Sequence, residues 1–124
     1  MVLLGHHYIM MSSEALVNEE DIYNALYGQR IKDWYIKKDV AVFTFIGMNI
    51  QLEIRPICKC GNAQLAWYTL GEYSNDINVI TDITYNGNVI TITENMHKRR
   101  INAYCNYCKR EGSRLMCMLH HNTI

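Results

Sequence analysis

Two close cysteine pairs constrain this chain more than any other feature: Cys58-Lys59-Cys60, followed at once by Gly61, and Cys105-Asn106-Tyr107-Cys108. Four thiolates are the set that tetrahedral zinc prefers, and once all four are bound no position remains for a substrate water. The pairs therefore predict a structural zinc site held by Cys58, Cys60, Cys105 and Cys108. The 44 residues between them hold enough strand-forming sequence to bring them together. Gly61, and Gly112 four residues behind the second pair, permit tight turns whose amides point at sulfur and favour thiolate. Ordinary reduced core cysteines are the alternative. Cys117 can replace one ligand or serve as a small buried hydrophobe. His97, His120 and His121 compete as ligands, although the last two sit near the end of the chain, where solvent exposure is expected. His6 and His7 would point to opposite faces of a strand and could not chelate one ion together.

A length of 124 residues predicts one domain, and 49% hydrophobic against 19% charged residues predicts a packed core, not a disordered tail. Twelve basic and twelve acidic residues cancel, so no whole-protein field draws the chain to nucleic acid or membrane. Locally the balance differs. Between Asn95 and Arg114 stand Lys98, Arg99, Arg100, Lys109, Arg110 and Arg114 against Glu111 alone, with Tyr104 and Tyr107 among them. Interleaved cations and aromatic rings are what a phosphate backbone and stacked bases require. A solvated face, or a surface for an acidic protein, is the competing reading.

Five cysteines are an odd number, and Met1-Val2-Leu3-Leu4 runs into Gly5-His6-His7 before a signal-peptide core can form. Both points argue against a disulfide framework. No run approaches the about 20 apolar residues that span a bilayer. The expected location is intracellular, cytoplasmic or nuclear. The bias toward Ile, Asn and Tyr, with one proline, suits an AT-rich coding genome such as a viral one.

Asn18-Glu19-Glu20-Asp21 predicts a helix over about 19–27: Asn18 caps the free amides, acids occupy the first turn, and Gly28 stops it. Val2 to Met11 is expected as a strand broken by Ser12 and Ser13. From Trp34 the period changes to two. Val40–Ile46 and Ile50–Ile54 are expected to pair across Gly47-Met48-Asn49, the second strand passing Pro56 to reach Cys58. A third strand over 64–70 leaves the first cysteine pair. Asn86-Gly87 predicts a two-residue turn in a hairpin over about 77–94, with Ile83 opposite Ile90, Thr81 opposite Ile92, Thr84 opposite Val89 and Asp82 opposite Thr91. Ile83, Ile90 and Ile92 mark its buried face. Ser113 to His121 is expected as a short capped helix docked on the sheet.

The expected fold class is α+β: a small single domain, 1–124, of mainly antiparallel hairpins with a short N-terminal helix. Cys-x-Cys-Gly and Cys-x-x-Cys each occur at the tips of zinc-ribbon-like β-hairpins, and the chain resembles such modules at those eight positions. The insertion between the pairs and the N-terminal region fall outside the likeness, so no family function is carried over.

Enzyme signatures are missing: there is no His-x-Glu beside a Pro-Cys-x-x-Cys pair, no phosphate-binding glycine loop and no Gly-x-Ser-x-Gly elbow. Cys58 and Cys60 form a redox pair only in principle, because redox dithiols are spaced Cys-x-x-Cys beside a βαβ pattern. The sequence thus predicts a non-enzymatic zinc-binding accessory module that binds nucleic acid, RNA or single strands, through a basic rim at 97–114. The rim consists of Lys98, Arg99, Arg100, Tyr107, Lys109, Arg110 and Arg114. The alternative is a protein-interaction or assembly subunit of a larger complex, a viral one among them, docking through Trp34, Tyr35, Trp67 and Tyr68; a thiol redox enzyme is the third.

Overall fold

The structure, a computed structural model, describes residues 10–72, 79–108 and 112–123. Strand β1 (Met10–Leu16) leads to α1 (Glu19–Leu26), followed by β2 (Ile31–Lys37), β3 (Val40–Phe45), β4 (Ile50–Cys58), β5 (Gln64–Leu70), β6 (Ile80–Tyr85), β7 (Val89–Glu94), β8 (His97–Tyr104) and β9 (Ser113–Thr123). The strands form a five-stranded sheet, β1-β9-β4-β3-β2, and a four-stranded sheet, β5-β8-β7-β6. Both are antiparallel throughout. Their inner faces share one core, in which Phe43, Leu52 and Ile54 of the first sheet meet Ile90, Ile92 and Ile101 of the second.

Helix α1 begins as its sequence dictates. The extended Asn18 accepts a hydrogen bond from the Asp21 amide at 2.8 Å, and Ile22 and Leu26 are fully buried. Glu19 also accepts from the Tyr85 amide at 3.1 Å, which docks the helix on β6. The β2–β3 turn uses Lys38 and Asp39 at φ of 52° and 58°, the two positive values of a type I′ connection made without glycine. The Asp39 carboxylate accepts from the Leu65 amide at 3.3 Å and so ties this hairpin to β5. Pro56 lies in β4 beyond the last rung with β3, where it faces only β9 and its missing amide costs no ladder bond on the open side.

Three expectations are corrected. Ser12 and Ser13 do not end a strand but lie inside β1, paired with β9; residues 2–9 of the expected strand lie outside the described residues. Ser113 to His121 is not a helix but most of β9, between β1 and β4. Leu115, Cys117 and Leu119 are buried while Arg114 and Met116 are exposed, a period of two that the apolar methionines mask in the sequence. The β6–β7 turn is displaced by one residue. Asn86 donates to the Val89 carbonyl at 3.1 Å, so Gly87-Asn88 is the two-residue connection, and Tyr85 pairs with Ile90 and Ile83 with Ile92.

Asn86 drives that displacement: its side-chain oxygen accepts from the amides of Asn88 and Val89 at 3.2 and 3.0 Å, and only Gly87 takes a positive φ, 101°. Glycine at the first central position characterises the II′ turn. A register shift of two keeps every side chain on its face, so Ile83, Ile90 and Ile92 remain buried as expected. The turn tip also accepts the Leu115 amide at 2.8 Å on the Gly87 carbonyl, and a Cβ at Gly87 would stand 3.2 Å from the Arg114 guanidinium. Gly87→Val is expected to lower unfolding free energy by about 1 kcal/mol or more. Urea titration checks this; an unchanged midpoint removes the turn from the account.

Candidate metal centre

The four paired cysteines sit where the chain changes sheets. At Cys58 it leaves β4, passes Lys59, Cys60 and Gly61, and enters the other sheet as β5. At Tyr104 it leaves β8, passes Cys105 to Cys108, and returns to the first sheet as β9. The two crossings run side by side, because β4 pairs with β9 up to the rung Cys58–Ser113 and β5 pairs with β8 from the rung Gln64–Tyr104. Each cysteine turn therefore joins two sheets instead of capping a hairpin of one.

Local hydrogen bonds shape both turns. Gly61 donates to the Cys58 carbonyl and Gly112 to the Cys108 carbonyl, each at 3.2 Å. Gly61 has φ of 76°, and a Cβ on Gly112 would lie 2.7 Å from that of Cys108, so both positions require glycine. The Cys108 amide donates to the Cys105 sulfur at 3.4 Å. The sulfur atoms of Cys58 and Cys60, and of Cys60 and Cys105, are 3.3 Å apart, and all four lie within 4.8 Å of one another. Zinc–sulfur bonds of about 2.3 Å in a tetrahedron separate sulfurs by about 3.8 Å, within that spread. These four cysteines can hold one metal ion, and they are the one such group among the described residues.

The electrostatics fit a shared site. Partial burial pushes the Cys58 thiol up, but hydrogen bonds from the Cys60 thiol and the Asn62 amide overcome it and bring it down to about 6. For Cys60 the Asn62 amide acts downward, yet the adjoining Cys105 and Cys58 sulfurs prevail and push it up to about 12. The Cys108 amide is the main influence holding Cys105 below the ordinary thiol range. Cys117 stands apart: it is buried in the core, which pushes its thiol up to about 12, and it belongs to the packing.

Strand alternation divides the predicted basic residues. Lys98 and Arg100 point outward from the four-stranded sheet, Tyr107 is 78% exposed, and Arg114 is exposed on β9. Arg99 corrects the expected rim. It points inward, is buried, pairs with buried Glu94 and lies 5.3 Å over the Trp34 ring. Lys109 and Arg110 lie outside the described residues. Of the aromatic candidates, Tyr35, Trp67 and Tyr68 are exposed, whereas Trp34 is half-buried, stacked on Phe43 and met edge-on by Trp67.

His120 and His121 do not hang free at the terminus. His120 joins Ser13 Oγ at 2.7 Å and Glu53 at 3.3 Å, and His121 joins Glu14 at 3.0 Å. The Ser13–His120–Glu53 chain has the connectivity of a nucleophile–base–acid relay, but it lies across three strands of one sheet with Glu53 held by Arg55 through two bonds of 2.9 and 3.1 Å. It fastens β1 to β9 and β4. Sequence reasoning had no access to it, because 107 positions separate Ser13 from His120.

Comparison of the chain with protein-family models, with curated proteins and with solved structures gives no match. Among the described residues, no helix is long and apolar enough to cross a membrane.

Two outcomes test the centre. Cys58→Ser is expected to lose bound metal and Cys117→Ser to keep one equivalent, read by elemental analysis of the purified protein; the reverse result overturns the ligand set. Metal must displace the proton that Cys60 retains up to about 12, so affinity should fall as pH falls, and more steeply below about 6 where Cys58 is also protonated. Competition with a chromogenic chelator on either side of that pH measures the slope, and a flat profile contradicts thiolate ligation.

Proposed function

We propose that this protein is a non-enzymatic, zinc-stabilised module that binds single-stranded nucleic acid, RNA or DNA, on the outer face of its four-stranded sheet. The observation that carries the reading is the register of β5 against β8. It sets exposed Tyr68 opposite Arg100, Leu70 opposite Lys98 and Gln64 opposite Tyr104, all on one face. Lys98, Arg100, Asn102 and Tyr104 thus form a row with a step of about 6.6 Å, two residues of strand. Cations along such a row meet successive phosphates, and Tyr68 and Tyr104 offer ring faces to bases. The acids of this face stand at its β6 edge: Asp82 shares the cross-strand row Asp82–Thr93–Lys98, two strands from the lysine, and Glu19 lines a groove together with Arg100.

Zinc suits four thiolates because it has no preferred geometry beyond the tetrahedron and no redox chemistry, and a filled set gives it a structural part. Its binding free energy is then folding free energy. Arg99 has no place in this interface. It belongs to the inner ion pair.

Titration of a labelled single-stranded oligonucleotide at several salt concentrations tests the reading. Affinity should fall with salt with a slope of about −0.7 per neutralised phosphate, and Lys98→Gln with Arg100→Gln should lower both affinity and slope. Tyr68→Ala or Tyr104→Ala should weaken binding by about 1–3 kcal/mol at unchanged slope. Arg99→Gln should act on stability instead, costing about 3–5 kcal/mol by stranding the buried Glu94 charge. No binding at low salt, or equal binding by the double variant, overturns the reading in favour of an assembly subunit docking through exposed Tyr35 and Trp67.

A further inference from the structure

Beside the metal centre lies an open groove of about 400 Å³ lined by Ile57, Cys58, Lys59, Gly112 and Arg114. Among the described residues its lining includes two cations and no acid, and Ile57 supplies an apolar wall that is 42% exposed. Both cations owe their positions to the cysteine turns. Lys59 is the residue between Cys58 and Cys60, so its backbone cannot shift without moving a ligand. Arg114 is two residues past Gly112, whose amide closes the second turn, and it faces Ile57 across the β4–β9 rung. Its guanidinium passes the β6–β7 turn, where glycine at 87 leaves it room. Within the cluster, the charge of thiolate is met by amide donors, as Cys108 does for Cys105, so the lysine and arginine tips are not fully committed to sulfur.

We infer that Lys59 and Arg114 form a phosphate seat assembled by the metal centre. Lys59 and Arg114 both line this one groove, and an ammonium with a planar guanidinium turned into it would recognise a tetrahedral oxyanion by charge and by a forked pair of hydrogen bonds. On the nucleic-acid reading, the phosphate comes from the bound strand, since the β8 row runs from Lys98 to Tyr104 and ends at Cys105. Metal loading would then set affinity as well as stability. The seat itself requires only a phosphate, and a free phosphate compound is the other source of the same chemistry.

The experiment uses the full metal-loaded chain with pyrophosphate as one probe and a single-stranded oligonucleotide as the other. Pyrophosphate should broaden and shift in ³¹P spectra with the wild type. Lys59→Gln with Arg114→Gln should abolish that response, retain the metal, lower oligonucleotide affinity about tenfold and reduce the salt slope by about 0.7, one phosphate's worth. Arg114→Lys, which keeps the charge and loses the fork, should bind pyrophosphate more weakly than wild type but more strongly than the double variant. If wild type does not bind pyrophosphate at low salt, or the double variant binds it equally, the seat is overturned while the sheet interface stands. If pyrophosphate binds through Lys59 and Arg114 and the oligonucleotide binds nowhere, the seat stands, its phosphate is that of a small compound, and the nucleic-acid reading falls.

Discussion

The four-cysteine cluster governs this architecture because it lies where both connections between the sheets cross. Ladder hydrogen bonds hold β4 to β9 and β5 to β8, but they stop at the Cys58–Ser113 and Gln64–Tyr104 rungs. Between those rungs the chain has two short unladdered crossings whose relative position rests on the core below and on the sulfurs. A metal bound to all four cysteines joins the crossings at one point, which no pair of backbone hydrogen bonds does. It also removes the conflict among thiols 3.3 Å apart, where a charge on Cys58 pushes Cys60 up to about 12. One dication satisfies both sulfurs at once.

The opposite end of the inter-sheet space is closed by different means. There the β7–β8 turn brings Glu94 and Arg99 together, both buried, and Arg99 lies over Trp34, whose ring is stacked on Phe43. Such a pair adds little net stability over an apolar filling, because desolvating two ions offsets most of their attraction. What it does supply is direction. Only one inward arginine on β8 can reach Glu94, so the pair penalises any slip of β8 along β7. The flat face of the sheet is thereby kept in one register, with Lys98 and Arg100 outward.

Most of the strands were legible because local chemistry marked them. The Asn18 cap, the alternation from Ile50 to Arg55, and the break at Gly47 each act within a few residues, and α1, β3, β4 and β5 stand where those signals put them. The four clustered cysteines were legible for the same reason, since each pair is a short motif. What sequence could not show depends on distant partners. Ser113 to Thr123 carries no glycine or proline and holds Met116 and Met118, and becomes a strand because β1 and β4 offer it two ladders. Arg99 reads as one of three adjacent cations until strand alternation turns it alone inward. The β6–β7 turn was missed by one residue, and its register therefore by two, because Asn86 spends its side chain on capping the turn instead of occupying it.

Charge placement follows from the same alternation and bears on partner choice. A chain with no net charge gains no long-range steering, so any polyanion must be recognised at close range by a face that separates its own charges. On the outer face of the four-stranded sheet the cations lie on β8 and Asp82 two strands away on β6, while Glu19 of α1 lines a groove with Arg100, so the separation is a short one along a shared face. Steering by a few local cations decays within about a Debye length, 8 Å at physiological salt. Contact with such a face must therefore draw on ring stacking as well as charge, and the exposed tyrosines beside Lys98 and Arg100 provide it. A rigid register is the condition for both. The ion pair at one end of the sheet and the cysteine cluster at the other secure that register, so on the proposed reading a metal held by the four cysteines would act on recognition through geometry.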